Sequence, residues 1–247
     1  MQMDATFLNL KIFGTLGIKN ITISGNEVTI SPAYIWILLI CCAIVGYFAG
    51  SLNFAIIISK LKYHEDIRDY GSGNAGMTNM IRTYGTLPGI MTLLGDILKA
   101  VFSVLLAKYF FGEAGASIAA LFCMLGHAFP CWYHFKGGKG VAVTAASILC
   151  IEPIVFPCVL VIFVAIVLFT RYISLGSIMG ALMYPLILRA FYPHTHLGFI
   201  EEFECYPPSY AVVMLTAVVM TLLLLFLHRE NMRRLLNHQE NKFSLKK

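Results

Sequence analysis

At 247 residues the chain has room for one compact membrane domain or for one or two soluble ones. Its apolar fraction is 58%, its charged fraction 13%, its mean hydropathy +0.76 and its formal net charge +5. No soluble fold of this length hides that much apolar surface, which excludes a soluble enzyme, a disordered chain and a coiled coil, and the apolar runs do not alternate as membrane β-barrel strands do.

Residues 1–32 read as a mildly polar N-terminal extension, without the basic start and cleavage site of a secretory signal. Within it, residues 21–30 (ITISGNEVTI) alternate like one short strand. The membrane domain is predicted over 33–247. Its first apolar run, 33–58, is long enough to cross about 30 Å of hydrocarbon. Residues 59–86 are polar and glycine-rich. Further apolar runs cover 87–111, 115–129, 141–170, 174–190 and 210–227, and the tail from His228 is basic. The run 141–170 carries Glu152, Pro153 and Pro157 near its middle, which predicts a hairpin turning at Glu152 and Pro153. Its first limb reaches only about 17 Å, so that helix is expected to start earlier, in the Gly-Gly-Lys-Gly turn, or to tilt. The acidic stretch 191–209 reads as a solvated connector.

The fold class is therefore an all-α integral membrane protein. Seven spans with the N-terminus outside place 13 of the 18 Lys and Arg residues on the cytoplasmic side, whereas six would put Arg171 and the basic tail outside. The positive-inside rule selects seven, with the C-terminus cytoplasmic. The seven cysteines are odd in number, lie mostly in apolar runs and have no metal or disulfide spacing.

The informative polar residues then fall on one side. The first loop holds Gly71-Ser72-Gly73-Asn74-Ala75-Gly76-Met77-Thr78-Asn79, followed by Arg82. Its G-x-G-x-x-G pattern has no preceding strand and is not a dinucleotide fingerprint. The glycines nevertheless let backbone N–H groups approach an anion, Ser72, Asn74, Thr78 and Asn79 add neutral donors, and Arg82 adds a phosphate clamp. A second loop runs from Lys136 through Gly137, Gly138, Lys139 and Gly140 into a helix start. It lacks Walker-A spacing but suits an anion at a helix N-terminus. His127 sits at the inner end of a span as a candidate base or a structural histidine. Asp96 and Lys99, three apart on one helix, read as a structural ion pair rather than a proton relay. His228, Asn231 and Arg234 are expected to continue the last span at i, i+3, i+6 spacing and so to share a face near the headgroups. No Ser-His-Asp triad or G-x-S-x-G elbow is present, and the H-x-x-x-x-D pair of the common acyltransferases is read as absent, with Asp69 taken to lie one residue too far from His64. Two anion loops beside a bilayer favour an enzyme acting on a phosphorylated and a lipidic substrate. The alternative is a membrane transporter for an organic phosphate, whose polar path would reach both faces; a non-catalytic scaffold would not need three polar loops.

Three blocks, residues 71–82 (GSGNAGMTNMIR), 126–144 (GHAFPCWYHFKGGKGVAVT) and 228–240 (HRENMRRLLNHQE), resemble the bacterial acyl-phosphate:glycerol-3-phosphate acyltransferase family. Gly50-Ser51, Asp96-x-x-Lys99 and the Arg171…Ser174…Ser177 turn support the likeness, which covers most of the chain from residue 33 to 242. The resemblance implies seven spans and a cytoplasm-facing site in the bacterial plasma membrane. It implies transfer of a fatty acyl group from acyl phosphate to the 1-position of glycerol 3-phosphate, giving lysophosphatidic acid, the first step of phospholipid synthesis. By motif, Ser72, Arg82, His228 and Asn231 would be catalytic. Gly73, Asn74, Thr78, Asn79, Lys136, Gly137, Gly138, Lys139, Gly140 and Ser177 would bind substrate, and Glu240 would be structural. The expected partners are glycerol 3-phosphate, acyl phosphate and membrane lipid, with no cofactor, metal, nucleic acid or required protein partner. The N-terminal extension, the long outer loop and His238, where the family carries glycine, depart from the pattern.

Overall fold

A computed structural model of the chain describes residues 20–23, 26–29, 32–196 and 208–243, with side chains over 36–191 and 210–243. The extension holds two short antiparallel strands rather than one, β1 (Asn20–Ile23) and β2 (Asn26–Thr29), with Ile23 opposite Asn26. The rest is helical. The connector between 197 and 207, with its glutamates, lies outside the described residues.

Helix α1 (Pro32–Ser51) starts with proline, which suits a first turn, but does not run on to 58 as one helix. It breaks at Leu52 and Asn53. The Asn53 side chain accepts from Ile56 N at 3.2 Å and starts α2 (Phe54–Ile58), which widens into a π-turn over Ser59–Tyr63. The break frees the Leu52 carbonyl at membrane depth, where an unpaired backbone group is costly, and Lys99 Nζ donates to it at 2.7 Å. A short amphipathic α3 (Met77–Tyr84) leads through Gly85, at φ 94°, into α4 (Thr86–Ala128). Non-helical backbone at Phe111 and Gly112 splits α4 into two limbs.

The predicted hairpin is present. Helix α5 (Val141–Ile151) turns at Glu152 into α6 (Val155–Thr170). Lys108 donates to the terminal carbonyls of Cys150 and Ile151 at 2.9 and 3.1 Å, the arrangement a helix C-terminus favours. Helix α5 does not start in the glycine turn; it begins at Val141. Arg171, left-handed at φ 62°, ends α6, and α7 (Ile173–His196), α8 (Pro208–Leu227) and α9 (Arg229–Leu236) follow. The last span therefore ends at Leu227, and α9 is a separate helix.

Among the described residues four stretches suffice, by length and composition, to cross a membrane: Trp36–Tyr63, Thr86–Tyr133, Ile173–Phe191 and Tyr210–Leu227. The second contains the break in α4, and α5 and α6 are shorter apolar helices. The first and second pack through small residues. A Cβ on Gly46 would lie 2.4 Å from Ala119 O, one on Gly50 2.1 Å from Cys123 O, and one on Gly126 2.1 Å from Tyr47 O, so α1 and the second limb of α4 meet backbone to backbone. The apolar core between α4, α5, α7 and α8 includes Val104, Met124, Val143, Tyr184, Leu188 and Val213.

Candidate active site

Helix ends sort into two sets. At one end Lys108 meets the α5 terminus. At the other, the polar loops converge, with the first loop bonded to the second through Arg68, the second to α9 through Lys139, and α9 to α7 through Glu240.

Helix α9 builds the centre. Lys139 Nζ donates to Asn231 Oδ1, and Asn231 Nδ2 donates to Glu240 Oε1 at 2.6 Å. Ser174 Oγ also donates to Glu240 Oε1, at 2.8 Å, and Arg234 Nε to Oε2, at 2.8 Å. Burial pushes the Glu240 carboxyl up, but these three donors outweigh it and hold it below the usual range. Glu240 thus fixes the Asn231 amide so that its oxygen faces Lys139. The Phe243 amide donates to Arg171 O at 2.7 Å, which ties the tail across the α6–α7 turn.

Lys139 is brought down to about 8, mainly by burial and then by the charge of Arg234, with Glu240 opposing and Arg82 adding repulsion. Arg82 is therefore close enough for Lys139 to feel its charge, although the two lie in different sequence blocks. The Arg82 guanidinium stands exposed at the end of α3 and makes no ion pair or hydrogen bond among the described residues. His228 Nδ1 lies 2.9 Å from Leu224 O. A carbonyl only accepts, so Nδ1 carries the hydrogen and Nε2 is left as an acceptor. Burial pushes this imidazole down to about 4; the Leu224 bond opposes the shift and Lys139 adds to it, so the ring is neutral at pH 7.

The glycine loop is organised differently from a cradle made of its own amides. Gly137 N donates to Ala128 O and Gly138 N to His127 O, each at 3.0 Å. These two N–H groups are spent inside the protein, which leaves the Lys139 ammonium and the open first turn of α5 as the donors at this loop. Gly138 is buried because a Cβ there would lie 2.2 Å from His127 Nε2 and 2.5 Å from Ala75 O. Gly140, at φ 77°, caps α5 against Met124. His127 is a buried support: its Nδ1 lies 2.9 Å from Lys99 Nζ, which in turn lies 2.7 Å from Asp96 Oδ1. The Asp96–Lys99 ion pair is present, and it has gained a histidine and the Leu52 carbonyl.

In the first loop, Ser72, Gly73 and Arg82 face outward, while Asn74 and Thr78 are half-buried. Asn79 turns inward. Its Oδ1 accepts from Ser72 N at 2.9 Å and its Nδ2 donates to Ile67 O and Tyr70 O at 3.1 and 2.9 Å. The whole amide shapes the loop, so Asn79 positions Ser72 rather than facing a ligand. Ser177 lies one turn beyond Ser174 on α7, buried, with its hydroxyl bonded to Ile173 O. Lys136 is exposed. His64 and Asp69 do have the five-residue separation of an H-x-x-x-x-D pair, but both are exposed and no ion pair joins them among the described residues. Spacing does not reveal the roles of Arg68 and Ser174, since each bonds to an element remote in sequence, Arg68 to Tyr133 O and Lys136 O and Ser174 to Glu240; Asp66 acts locally, bracing Arg68 two residues on. Among the described residues, no group of three or more His, Cys, Asp or Glu side chains could hold a metal ion.

A glycerol-3-phosphate acyltransferase family model matches residues 40–238. The chain belongs to the glycerol-3-phosphate acyltransferase family. A relative named for that activity from Finegoldia magna is 37% identical over 212 residues, covering 84% of this chain and 97% of its own. One from Thermoanaerobacter sp. is 34% identical over 204 residues, covering 83% and 95%. Two crystal structures of PlsY, an integral membrane glycerol 3-phosphate acyltransferase, share the fold. Its glycerol 3-phosphate form superposes with a TM-score of 0.73 at 33% identity, over 83% of this chain and 96% of that one. The lysophosphatidic acid form gives 0.70 at 32%, over 84% and 96%. Membership makes this chain an integral-membrane acyltransferase of phospholipid synthesis.

Proposed function

We propose that the chain moves a fatty acyl group from acyl phosphate to the 1-hydroxyl of glycerol 3-phosphate, releasing lysophosphatidic acid and inorganic phosphate. The observation that carries this is the meeting of Lys139, Arg82 and Arg234 charges beside a neutral histidine at one end of an apolar bundle. Two phosphates can be bound there while an acyl chain lies along the helices. The PlsY structures hold glycerol 3-phosphate in one form and lysophosphatidic acid in the other, a substrate and product pair that fits this reading. Arg82 and Ser72 bind the phosphate of glycerol 3-phosphate, and the loop from Lys136 to Gly140, with the α5 N-terminus, holds that of the donor.

The reaction needs no acyl-enzyme, because acyl phosphate is already a mixed anhydride. The 1-hydroxyl oxygen attacks the acyl carbon, the bond from that carbon to the phosphate oxygen breaks, and the hydroxyl proton passes to the departing phosphate. His228 Nε2 accepts a hydrogen bond from the hydroxyl and orients it. Burial keeps that imidazole neutral, and the departing phosphate, which gains an ionisable oxygen as the bond breaks, takes the proton. Rate comes from positioning and fixed charge. Purified protein given labelled glycerol 3-phosphate should form lysophosphatidate with palmitoyl phosphate and not with palmitoyl-CoA. Equal rates with the two donors would refute the donor assignment.

The reading includes seven spans in a bacterial plasma membrane, the N-terminus outside and the site cytoplasmic, as the charge distribution favours. Single cysteines placed at Tyr70 and at Ile154, in a background without the native cysteines, should label from opposite sides with an impermeant reagent; labelling from one side would overturn the topology.

A further inference from the structure

The first and second loops are joined by one side chain outside the three sequence blocks. Arg68, on a single turn of 3-10 helix (Ile67–Asp69), lies four residues before Ser72. Its Nη1 donates to Tyr133 O at 2.7 Å and to Lys136 O at 2.8 Å. Its Nε and Nη2 donate to the two oxygens of Asp66 at 2.9 and 2.7 Å. Asp66 also accepts from Arg68 N at 3.1 Å and has Lys60 Nζ at 3.6 Å. The hydrogen bonds from Arg68 hold the Asp66 carboxyl down at about 2, so it stays charged across the working pH range.

The two carbonyls bracket His134 and Phe135, both left-handed at φ 56° and 55°, a conformation that side chains resist and that must be held from outside. The peptide unit from Lys136 to Gly137 is gripped on both edges. Its carbonyl takes Arg68 Nη1, and its N–H donates to Ala128 O. The plane of that peptide sets the direction in which Gly138 and Lys139 leave it. We propose that Arg68, braced by Asp66, is a positioning residue that locks the glycine loop to the first loop, so that the binding of either phosphate is registered in the geometry offered to the other. This rests on the reading that the glycine loop serves acyl phosphate. A lysine cannot replace the planar fork, because an ammonium cannot reach the two carbonyls and both oxygens of Asp66 in one plane.

The test uses the full-length protein in lipid nanodiscs with R68Q, R68K and D66N. Hydrogen exchange over residues 133–140 and a two-substrate kinetic matrix with palmitoyl phosphate and glycerol 3-phosphate are measured together. For R68Q, exchange at Gly137 and Gly138 should rise while the spans stay protected, and KM for palmitoyl phosphate should rise at least about tenfold with kcat changed by less than about threefold. R68K should resemble R68Q, and D66N should fall between it and the unmodified protein. Unchanged exchange and kinetics would overturn the proposal. Loss of kcat together with protection throughout the spans would reduce Arg68 to a general folding role and overturn it too. If exchange rises as expected but the affected KM is that of glycerol 3-phosphate, the coupling stands and the assignment of the glycine loop to the donor falls.

Discussion

Replacing Lys139 with methionine should lower kcat/KM by about 10²- to 10⁴-fold with the fold intact. The basis is the loss of two charge-assisted hydrogen bonds at about 1.5–3 kcal/mol each, one to a substrate phosphate and one to Asn231. Asn231 would keep its bond to Glu240 but lose the partner that fixes its oxygen. The pH profile separates charge from shape. In the unmodified protein Lys139 loses its proton as pH rises through about 8, and a neutral amine no longer balances an anionic substrate. Free-enzyme kcat/KM should therefore fall above pH 8, approaching tenfold per unit. Lys139→Arg should act poorly because its fork does not fit, yet its residual activity should persist above pH 8, since guanidinium stays charged. A falling limb unchanged in Lys139→Arg would show that another group titrates there.

How far the sequence reaches depends on the range of the forces involved. Bilayer thickness dictates span length, so the apolar runs, the hairpin at Glu152 and the break before Gly115 are readable along the chain. The interruption at Leu52 and Asn53 is not, because the apolar run continues through it. What makes the break tolerable is Lys99, 47 residues away, donating to the freed carbonyl. The same limit holds at the site. Glycine spacing announces a loop near anions, but not that Gly137 and Gly138 give their amides to Ala128 and His127. Asn79 reads as a ligand donor by residue type, and only the fold shows its amide consumed by Ile67, Tyr70 and Ser72. Arg82 and Lys139 belong to different motifs, and their shared field appears only when the loops are folded together.

Gly138→Ala is expected to be the second most damaging change, through collision within the protein and not through blocking an anion. The added methyl would sit 2.2 Å from His127 Nε2 and 2.5 Å from Ala75 O. The imidazole is held by Lys99, and the Ala75 carbonyl is fastened by Asn53 Nδ2 at 3.3 Å, so neither neighbour is a free end that can swing aside. The loop itself must move, by roughly an ångström, and a displacement of that size costs about a hundredfold in rate. Overpacking of this kind adds about 1–3 kcal/mol to the folding cost, so thermal stability should fall as well. Because the methyl pushes on Ala75 in the first loop as well as on the glycine loop, apparent KM should rise for both substrates. A Gly138→Ala/His127→Ala double variant should recover only part of the loss, since the carbonyl of Ala75 remains in the way. Steady-state kinetics with both substrates, alongside melting of the single and double variants, decides it. A rise confined to acyl phosphate would mean that the methyl meets the donor and not the first loop, and full recovery in the double variant would leave His127 as the whole of the obstruction.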